Sequence, residues 1–117
     1  MTHGHQSMAT FDEFLKIDIR VGTIVKASPF PEAKKPAIKL EIDFGPELGM
    51  KRSSAQLTMH YSPEGLVGKQ VVAVVNFPVR RIATLDSEVL VLGAMPTPQE
   101  VVLLQVVRRV ENGTSIG

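Results

Sequence analysis

The stretch Val71–Ile82, with the sequence VVAVVNFPVRRI, decides the fold of this chain. Its first part, Val71–Phe77, is apolar at nearly every position, and such a run is typical of a strand that is buried on both faces. Pro78 then removes a backbone donor, so we predict that the strand ends there. Because a doubly buried strand needs structure on both sides, this stretch predicts the core of a β-barrel or β-sandwich.

Five other segments predict strands, by alternation of apolar and polar residues or by short apolar runs. They are Ile17–Val25, Ala37–Phe44, Met50–Met59, Val89–Leu92 and Val101–Val110. Gly22 interrupts the first of them, and a glycine inside a strand often marks a bulge or a sharp bend. Three prolines between Ser28 and Pro36 predict an exposed loop.

Two short helices are predicted from their capping residues. Thr10 and Glu13 stand at the two positions of a capping box, with apolar residues at helical spacing around them. Ser62 followed by Pro63 has the features of a second helix start, and two nearby glycines limit that helix to one or two turns. We expect the first helix to lie as a lid on the rest of the domain.

The order of these elements predicts an all-β fold, a five-stranded OB-fold barrel with a short helix between its third and fourth strands. Residues 10–117 are expected to form this single domain. Residues 1–9 are expected to be a disordered leader or a cloning remnant. The histidines of that leader, His3 and His5, are too few for a metal site.

The last predicted strand is apolar on both faces as far as Val107, so it needs cover on both sides. One hypothesis is that a second copy of the chain supplies the cover, in a two-fold symmetric homodimer with this strand at the interface. The alternative is that the N-terminal helix covers the strand within one chain. The resemblance described below favours the homodimer.

The composition is ordinary for a globular protein, with 44% hydrophobic residues among 117 and a formal net charge of +1. The absence of cysteine excludes disulfides and thiolate chemistry. The longest apolar runs are too short to cross a bilayer, and the first residues lack the apolar stretch of a signal peptide. We therefore expect a cytoplasmic protein without membrane insertion, metal or other cofactor.

No arrangement of side chains predicts catalysis. His60 is the only histidine of the predicted domain, and Gly65–Lys69 lacks the spacing of a phosphate-binding loop. The carboxylates are scattered, and none stands out as a general acid–base pair. We therefore expect a binding protein rather than an enzyme.

Basic residues occur as doublets at Lys34-Lys35, Lys51-Arg52, Arg80-Arg81 and Arg108-Arg109. The first three doublets border predicted strands and loops, which an OB-fold can bring to the side of its barrel where an RNA backbone would lie. Alternatively, the doublets are solvated surface that maintains solubility. Spacing alone leaves the two interpretations equal, because aromatic residues that could stack on bases are few.

Six blocks of the sequence resemble the CsaA family, small bacterial proteins with a tRNA-binding type of OB-fold that are regarded as secretion-associated chaperones. The blocks are Asp18–Ile24, Pro31–Ala33, Ser53–Thr58, Leu66–Val71, Val74–Pro78 and Ser87–Gly93. The wider relatives are the tRNA-binding domains appended to methionyl-tRNA synthetase. The chain departs from the family at Val79, where a second proline is common, and at Arg81, where a glutamine is common. The arginine adds a positive charge.

The resemblance implies a homodimer that builds its interface from terminal segments, binds unfolded polypeptides or preproteins, and keeps a surface suited to tRNA. In the chaperone hypothesis, the polypeptide lies in an apolar groove near the dimer interface, at Phe77, Pro78 and Met95. In the alternative hypothesis, the protein is a tRNA binder or assembly factor that recognises tRNA shape through a basic surface. The residues expected to contact or position the RNA backbone are Lys34, Lys35, Lys51, Arg52, Ser53, Asn76, Arg80, Arg81 and Ser87. A dimeric assembly module without a ligand is a third hypothesis, and only the resemblance puts the chaperone first.

Overall fold

The computed structural model describes residues 7–117 and consists mainly of strands. The strands are β1 (Ile19–Pro29), β2 (Ile38–Asp43), β3 (Met50–Ala55), β4 (Gln70–Val74), β5 (Arg80–Ile82), β6 (Leu85–Ser87), β7 (Leu90–Val91), β8 (Gly93–Ala94) and β9 (Val102–Leu103). The helices are α1 (Phe11–Leu15), α2 (Gly45–Leu48) and α3 (Pro63–Leu66). Most of the predicted leader, including His3 and His5, lies outside the described residues. Within residues 7–117, no helix has the length and apolar character needed to cross a bilayer.

Five strands form one antiparallel sheet in the order β3-β2-β1-β4-β7. Strand β1 is long enough to serve two partners, because its first half pairs with β4 and its second half with β2. The β1–β2 register shifts between Ile24 and Lys26. Gly22 itself pairs in regular register with Val71, so the irregularity of this strand lies after Gly22 and not at it.

Alternation in β2 and continuous burial in β4 define the inside of the barrel. Ile38, Leu40 and Ile42 are each at most 2% exposed, while the polar residues between them face the other side. Every residue of β4 is buried, which confirms the doubly covered strand. The predicted end of this strand at Pro78 is wrong, because the pairing with β1 and β7 ends at Val74 and Phe77 beyond it is 45% exposed.

Hydrogen bonds between β3 and residues 87–89 bring the two ends of the sheet together. The Glu88 N–H group donates to the Arg52 carbonyl at 2.8 Å, and the Ser53 hydroxyl donates to the Val89 carbonyl at 3.0 Å. Helix α3 lies between β3 and β4 in the chain, and the Ser62 side chain caps it as predicted. The predicted five-stranded OB-fold is therefore confirmed, as a nearly closed antiparallel barrel.

The predicted last strand, Val101–Val110, is wrong for most of its length. Strand β9 covers only two residues, pairs with β8, and is followed by irregular chain. The backbone of Val110 bonds instead to the Gln70 side chain, whose Nε2 donates to the Val110 carbonyl at 2.7 Å and whose Oε1 accepts from the Val110 N–H group at 3.1 Å. A side chain thus takes the place that a neighbouring strand would occupy.

The final residues return along β1. The Gly113 N–H group donates to the Val21 carbonyl at 2.7 Å, and the Val21 N–H group donates to the Thr114 carbonyl at 2.9 Å. The Ile116 N–H group donates to the Ile19 carbonyl at 2.9 Å. The C-terminal segment therefore closes the side of the barrel at the start of β1.

Helix α1 has the predicted capping box, because the Thr10 hydroxyl accepts from the Glu13 N–H group at 3.1 Å and the Glu13 carboxylate accepts from the Thr10 N–H group at 2.8 Å. The helix is not a lid within the single chain, since none of its residues is buried. Phe11 is 72% exposed, and Val107 is fully exposed. The alternative in which α1 covers the C-terminal apolar residues of its own chain is therefore wrong.

Candidate ligand-binding surface

The β5–β6 hairpin packs against the loop between β1 and β2. Phe30 and Ala37 of the loop and Leu85 of the hairpin form a small buried cluster, with Ala33 and Ile82 packed on it. This contact joins two segments that are far apart in the chain, and we call residues 30–37 and 80–87 the loop–hairpin unit. The unit brings together the segments that carry the doublets Lys34-Lys35 and Arg80-Arg81.

Beside this unit, the outer face of the sheet presents polar side chains in register. Lys26 of β1 stands opposite Glu41 of β2, which stands opposite Arg52 of β3. The next row is formed by Ser28, Lys39 and Ser54. A groove of about 170 Å³ runs between this face and the hairpin. It is lined by Lys26, Ser28, Lys39, Leu40, Glu41, Arg52 and Leu85.

The charges of the face are largely paired, whereas several charges of the loop–hairpin unit are not. Lys26 lies 3.7 Å from Glu41, and Arg52 lies 3.4 Å from Glu88. Arg81 pairs with Asp86 at 2.9 Å across the hairpin. By contrast, the exposed cations at positions 34, 35 and 80 have no carboxylate within 4.0 Å among residues 7–117. Unneutralised positive charge is therefore located on the loop–hairpin unit and at Lys39 of the adjoining face, whose ammonium lies 5.5 Å from the centroid of the Phe30 ring.

Two of the predicted basic doublets lie within strands, which separates their members. Successive residues of a strand point to opposite faces. Arg52 therefore shares the outer face with Glu41, whereas Lys51 lies on the side of Ser53, which is 1% exposed. Arg80 and Arg81 of β5 diverge in the same way. A sequence doublet in a strand therefore supplies one cation to each face.

The neutral residues predicted to position RNA make internal hydrogen bonds. The Asn76 amide oxygen accepts from the Asp18 N–H group at 2.9 Å, and its nitrogen donates to the Lys16 carbonyl at 2.8 Å. The buried Ser53 hydroxyl donates to a backbone carbonyl, and the Ser87 hydroxyl accepts from the N–H group of β3 residue 54 at 3.2 Å. Asn76 thus joins the end of β4 to the junction between α1 and β1.

Arg20, which no sequence motif marks as a functional residue, joins β1 to two other segments. Its guanidinium donates to Asp18 at 2.6 Å, to Glu47 at 3.2 Å and to the Gly113 carbonyl at 3.1 Å. The hydrogen bonds to Asp18 and Glu47 raise the pKa of Arg20 above its ordinary value, so the side chain remains charged at any physiological pH. Its position within the Asp18–Ile24 block was the available signal for this role.

Exposed apolar side chains follow β4 immediately. Phe77 is 45% exposed and Val79 is 57% exposed, and Pro78 between them is also exposed. Met95 is equally accessible, at 59%, but lies elsewhere. Because β7 runs antiparallel to β4, with Leu90 level with the last residue of β4, the chain moves away from Phe77 as it approaches Met95. The structure therefore groups Phe77 with Pro78 and separates both from Met95 along the sheet.

The chain is similar to known proteins in both sequence and structure. The profile of a family described as "Putative tRNA binding domain" matches residues 19–115. The chaperone CsaA from Bacillus anthracis is 58% identical, with a TM-score of 0.91, over 95% of this chain and 100% of that one. The CsaA chaperone from Picrophilus torridus is 50% identical, with a TM-score of 0.87, over 94% of this chain and 100% of that one.

The chain is also similar to methionine–tRNA ligases and to a protein related to them. A methionyl-tRNA synthetase-related protein from Pyrococcus horikoshii is 28% identical, with a TM-score of 0.84, over 96% of this chain and 100% of that one. The methionine–tRNA ligase of Porphyromonas gingivalis is 42% identical over 84 residues, which are 72% of this chain and 12% of the ligase. The ligase of Methanococcoides burtonii is 35% identical over 95% of this chain and 16% of its own length. The chain thus spans less than a fifth of these ligases, and the predicted resemblance is confirmed.

Proposed function

We propose that this chain, which belongs to the CsaA family of tRNA-binding-domain proteins, is a non-catalytic cytoplasmic chaperone that binds unfolded or preprotein segments in protein secretion. The two CsaA chaperones that the chain matches over their full length, at 58% and 50% identity, support this proposal. The observation that carries it is the exposed apolar run Phe77–Val79 beside the barrel.

This apolar run is held at both ends, so it is presented to solvent in a fixed position. The Asn76 side chain bonds to the backbone of Lys16 and Asp18 on one side. On the other side, Arg80 begins the β5–β6 ladder. Exposed apolar surface of this kind marks interaction sites in soluble proteins, and it binds extended segments broadly rather than specifically.

Suppression of aggregation tests this proposal. We expect the wild-type protein in several-fold excess to reduce the light scattering of denatured citrate synthase diluted into buffer without ATP. Phe77→Ser combined with Val79→Ser removes the apolar contact and is expected to abolish most of the effect. The matched control combines Met59→Ser with Val67→Ser, at side chains that are 57% and 51% exposed. A wild-type protein without effect contradicts the chaperone, and equal loss in both variants contradicts the site.

A second function, binding of tRNA, is favoured by the unpaired cations of the loop–hairpin unit. Lys34, Lys35 and Arg80 are exposed and have no ion pair among the described residues. They belong to the loop–hairpin unit, whose Leu85 lines the groove. The outer face beside that unit carries hydroxyl groups at Ser28 and Ser54, which are of the kind that bond to sugars and phosphates. Phosphate contacts from such cations would supply salt-dependent affinity.

A salt titration of tRNA affinity tests this function. We expect Arg80→Ala with Arg81→Ala to weaken the binding of bulk tRNA and to reduce the slope of log affinity against log salt by about one for each phosphate that is no longer neutralised. Arg108→Ala, which removes an exposed cation outside the unit, is the control. If the double variant retains the wild-type affinity and slope, the arginines are not the phosphate contacts. If the wild-type protein neither suppresses aggregation nor binds tRNA, the hypothesis that is left is a dimeric assembly module without a ligand.

We further propose that the protein is a homodimer that uses its terminal segments. Exposed apolar side chains are concentrated there, at Phe11 and Leu15 of α1 and at Leu104 and Val107 near the C-terminus. No element of the described chain covers them, so a second copy that buries them would gain apolar contact area.

A further inference from the structure

We propose that tRNA and an unfolded polypeptide exclude each other from this protein, because both use the segment Phe77–Arg81, so that RNA controls the occupancy of the chaperone site. The inference rests on the proposed function and adds a regulatory relation between its two ligands. The segment contains the apolar run in its first three positions and the basic pair in its last two, and all five residues are exposed. No folded element separates the two kinds of side chain.

The segment Phe77–Arg81 is short compared with the surface that an RNA covers. Five fully extended residues place their first and last Cα atoms at most about 14 Å apart. A nucleic-acid-binding module buries at least about 600 Å² of protein surface, which corresponds to a disc about 28 Å across. A footprint of this width centred on Arg80 extends about 14 Å in each direction and so reaches Phe77, which lies at most about 11 Å away along the chain. A polypeptide bound at Phe77 then lies within the RNA footprint.

Both ends of the segment are attached to the barrel. On one side, the Asn76 side chain makes its two hydrogen bonds to the backbone at positions 16 and 18. On the other side, Arg80 pairs with Ser87, and Ile82 packs on the cluster of Phe30 and Leu85. With both ends attached to the barrel, the apolar and basic parts cannot move apart to hold two ligands side by side.

The charge of Arg80 also prevents both ligands from binding at once. Arg80 has no carboxylate partner within residues 7–117, so it keeps its water when the surface is free. A polypeptide that covers the segment strips that water, and it also blocks the approach of a phosphate to the guanidinium. Binding of one ligand therefore removes the contacts that the other ligand needs.

A competition titration tests the inference. The probe is a fluorescein-labelled unstructured peptide, rich in leucine and phenylalanine and without net charge, so that its own attraction or repulsion by RNA is small. Its binding is followed by fluorescence anisotropy while unlabelled bulk tRNA is added. At a free tRNA concentration ten times its own Kd, we expect the Kd of the peptide to rise about tenfold, as simple competition requires.

Charge reversal at single arginines tests whether the displacement of the peptide by tRNA takes place at this segment. Arg80→Glu is expected to weaken tRNA binding and to abolish the displacement of the peptide, while the peptide itself still binds. Arg108→Glu, the same charge change at an exposed site outside the segment, is expected to leave the displacement intact. Equal loss of displacement in both variants would overturn the assignment to this segment.

The remaining outcomes separate this inference from the proposed function. If both ligands bind alone and the anisotropy of the peptide stays unchanged at saturating tRNA, a ternary complex forms and only the inference is wrong. If the peptide or the tRNA fails to bind wild-type protein by itself, the corresponding part of the proposed function is wrong, and the inference is overturned with it.

Discussion

Gly22 lies where β1 closely approaches two side chains, one in β2 and one at the residue that follows β2. A Cβ atom at this position would lie 2.7 Å from Cγ2 of Ile42 and 2.7 Å from Cδ1 of Phe44. Both of these side chains are completely buried, so they have no free space to move into. Gly22 is therefore required by the close approach of the strand to the core and not by a bulge.

We expect Gly22→Ala to destabilise the protein by about 1–3 kcal/mol, because the added methyl group overpacks the core. Urea unfolding followed by circular dichroism measures the change. A loss of less than about 0.5 kcal/mol, the range of an ordinary surface substitution, would contradict the close approach.

Ser53 belongs to a sequence block that resembles the CsaA family, but membership of such a block does not make a residue a ligand contact. Its hydroxyl is buried and donates to the Val89 carbonyl at 3.0 Å, across the seam that closes the barrel. The neighbouring Ser54 faces the outside, opposite Lys39. A structural role for Ser53 follows from this geometry, although the sequence places both serines in one polar strand.

We expect Ser53→Ala to lower the free energy of unfolding by about 1–3 kcal/mol, because it leaves a buried carbonyl without its donor. The tRNA affinity of the folded variant is expected to stay at the wild-type value. Ser54→Ala is the matched control and is expected to change stability by less than about 0.5 kcal/mol. Wild-type stability with reduced tRNA affinity in Ser53→Ala would restore the predicted RNA contact.

At the scale of elements, the C-terminal segment is held at Val110 by one buried side chain and at residues 113–116 by backbone hydrogen bonds to β1. Gln70 is 6% exposed, and its amide bonds to both backbone groups of Val110 and to Asn112 at 3.1 Å. The local pattern of Val101–Val110 predicts a strand, but its backbone partner is a side chain located 40 residues earlier. The residues that directly precede and follow this segment in the sequence therefore give no indication of its hydrogen-bond partner.

Gln70→Met keeps the approximate volume of the side chain and removes its hydrogen bonds. We expect faster amide hydrogen exchange at Val110 and Gly113 and a loss of stability of about 1–3 kcal/mol, because the Val110 carbonyl loses its donor. Gln99→Met, at an exposed glutamine in the preceding loop, is the control. Unchanged exchange at both amides would show that Gln70 does not hold the segment.

At the scale of the whole molecule, local signals predicted the barrel better than its binding surface. Alternation in Ala37–Phe44 and the apolar run from Val71 are properties of neighbouring residues, and each formed a strand, although β4 ends at Val74 rather than at Phe77. The β5–β6 hairpin has no such pattern and was missed. It exists because Leu85 and Ile82 pack on Phe30, a contact between distant segments that no single stretch of sequence encodes.

The proposed homodimer gives a prediction at the same scale. We expect the wild-type protein to sediment at about twice the 12.8 kDa of one chain. Val107→Glu would bury an unpaired charge in the interface, and we expect it to raise the dissociation constant at least about tenfold. Val67→Glu, at an exposed residue beside α3, is the control. A wild-type monomer, or a Val107→Glu dimer of unchanged affinity, would contradict the terminal interface.

The segment Phe77–Arg81 is tested most directly by the amide NMR spectrum of the labelled protein during titration with the unstructured peptide. We expect the largest shift changes at Phe77, Val79 and Arg80, with smaller changes in the loop that packs on the hairpin. Met95, towards the other end of the β4–β7 pair, serves as the internal reference. Saturable changes at Met95 with unchanged signals from Phe77 to Arg81 would contradict the assignment of the binding surface.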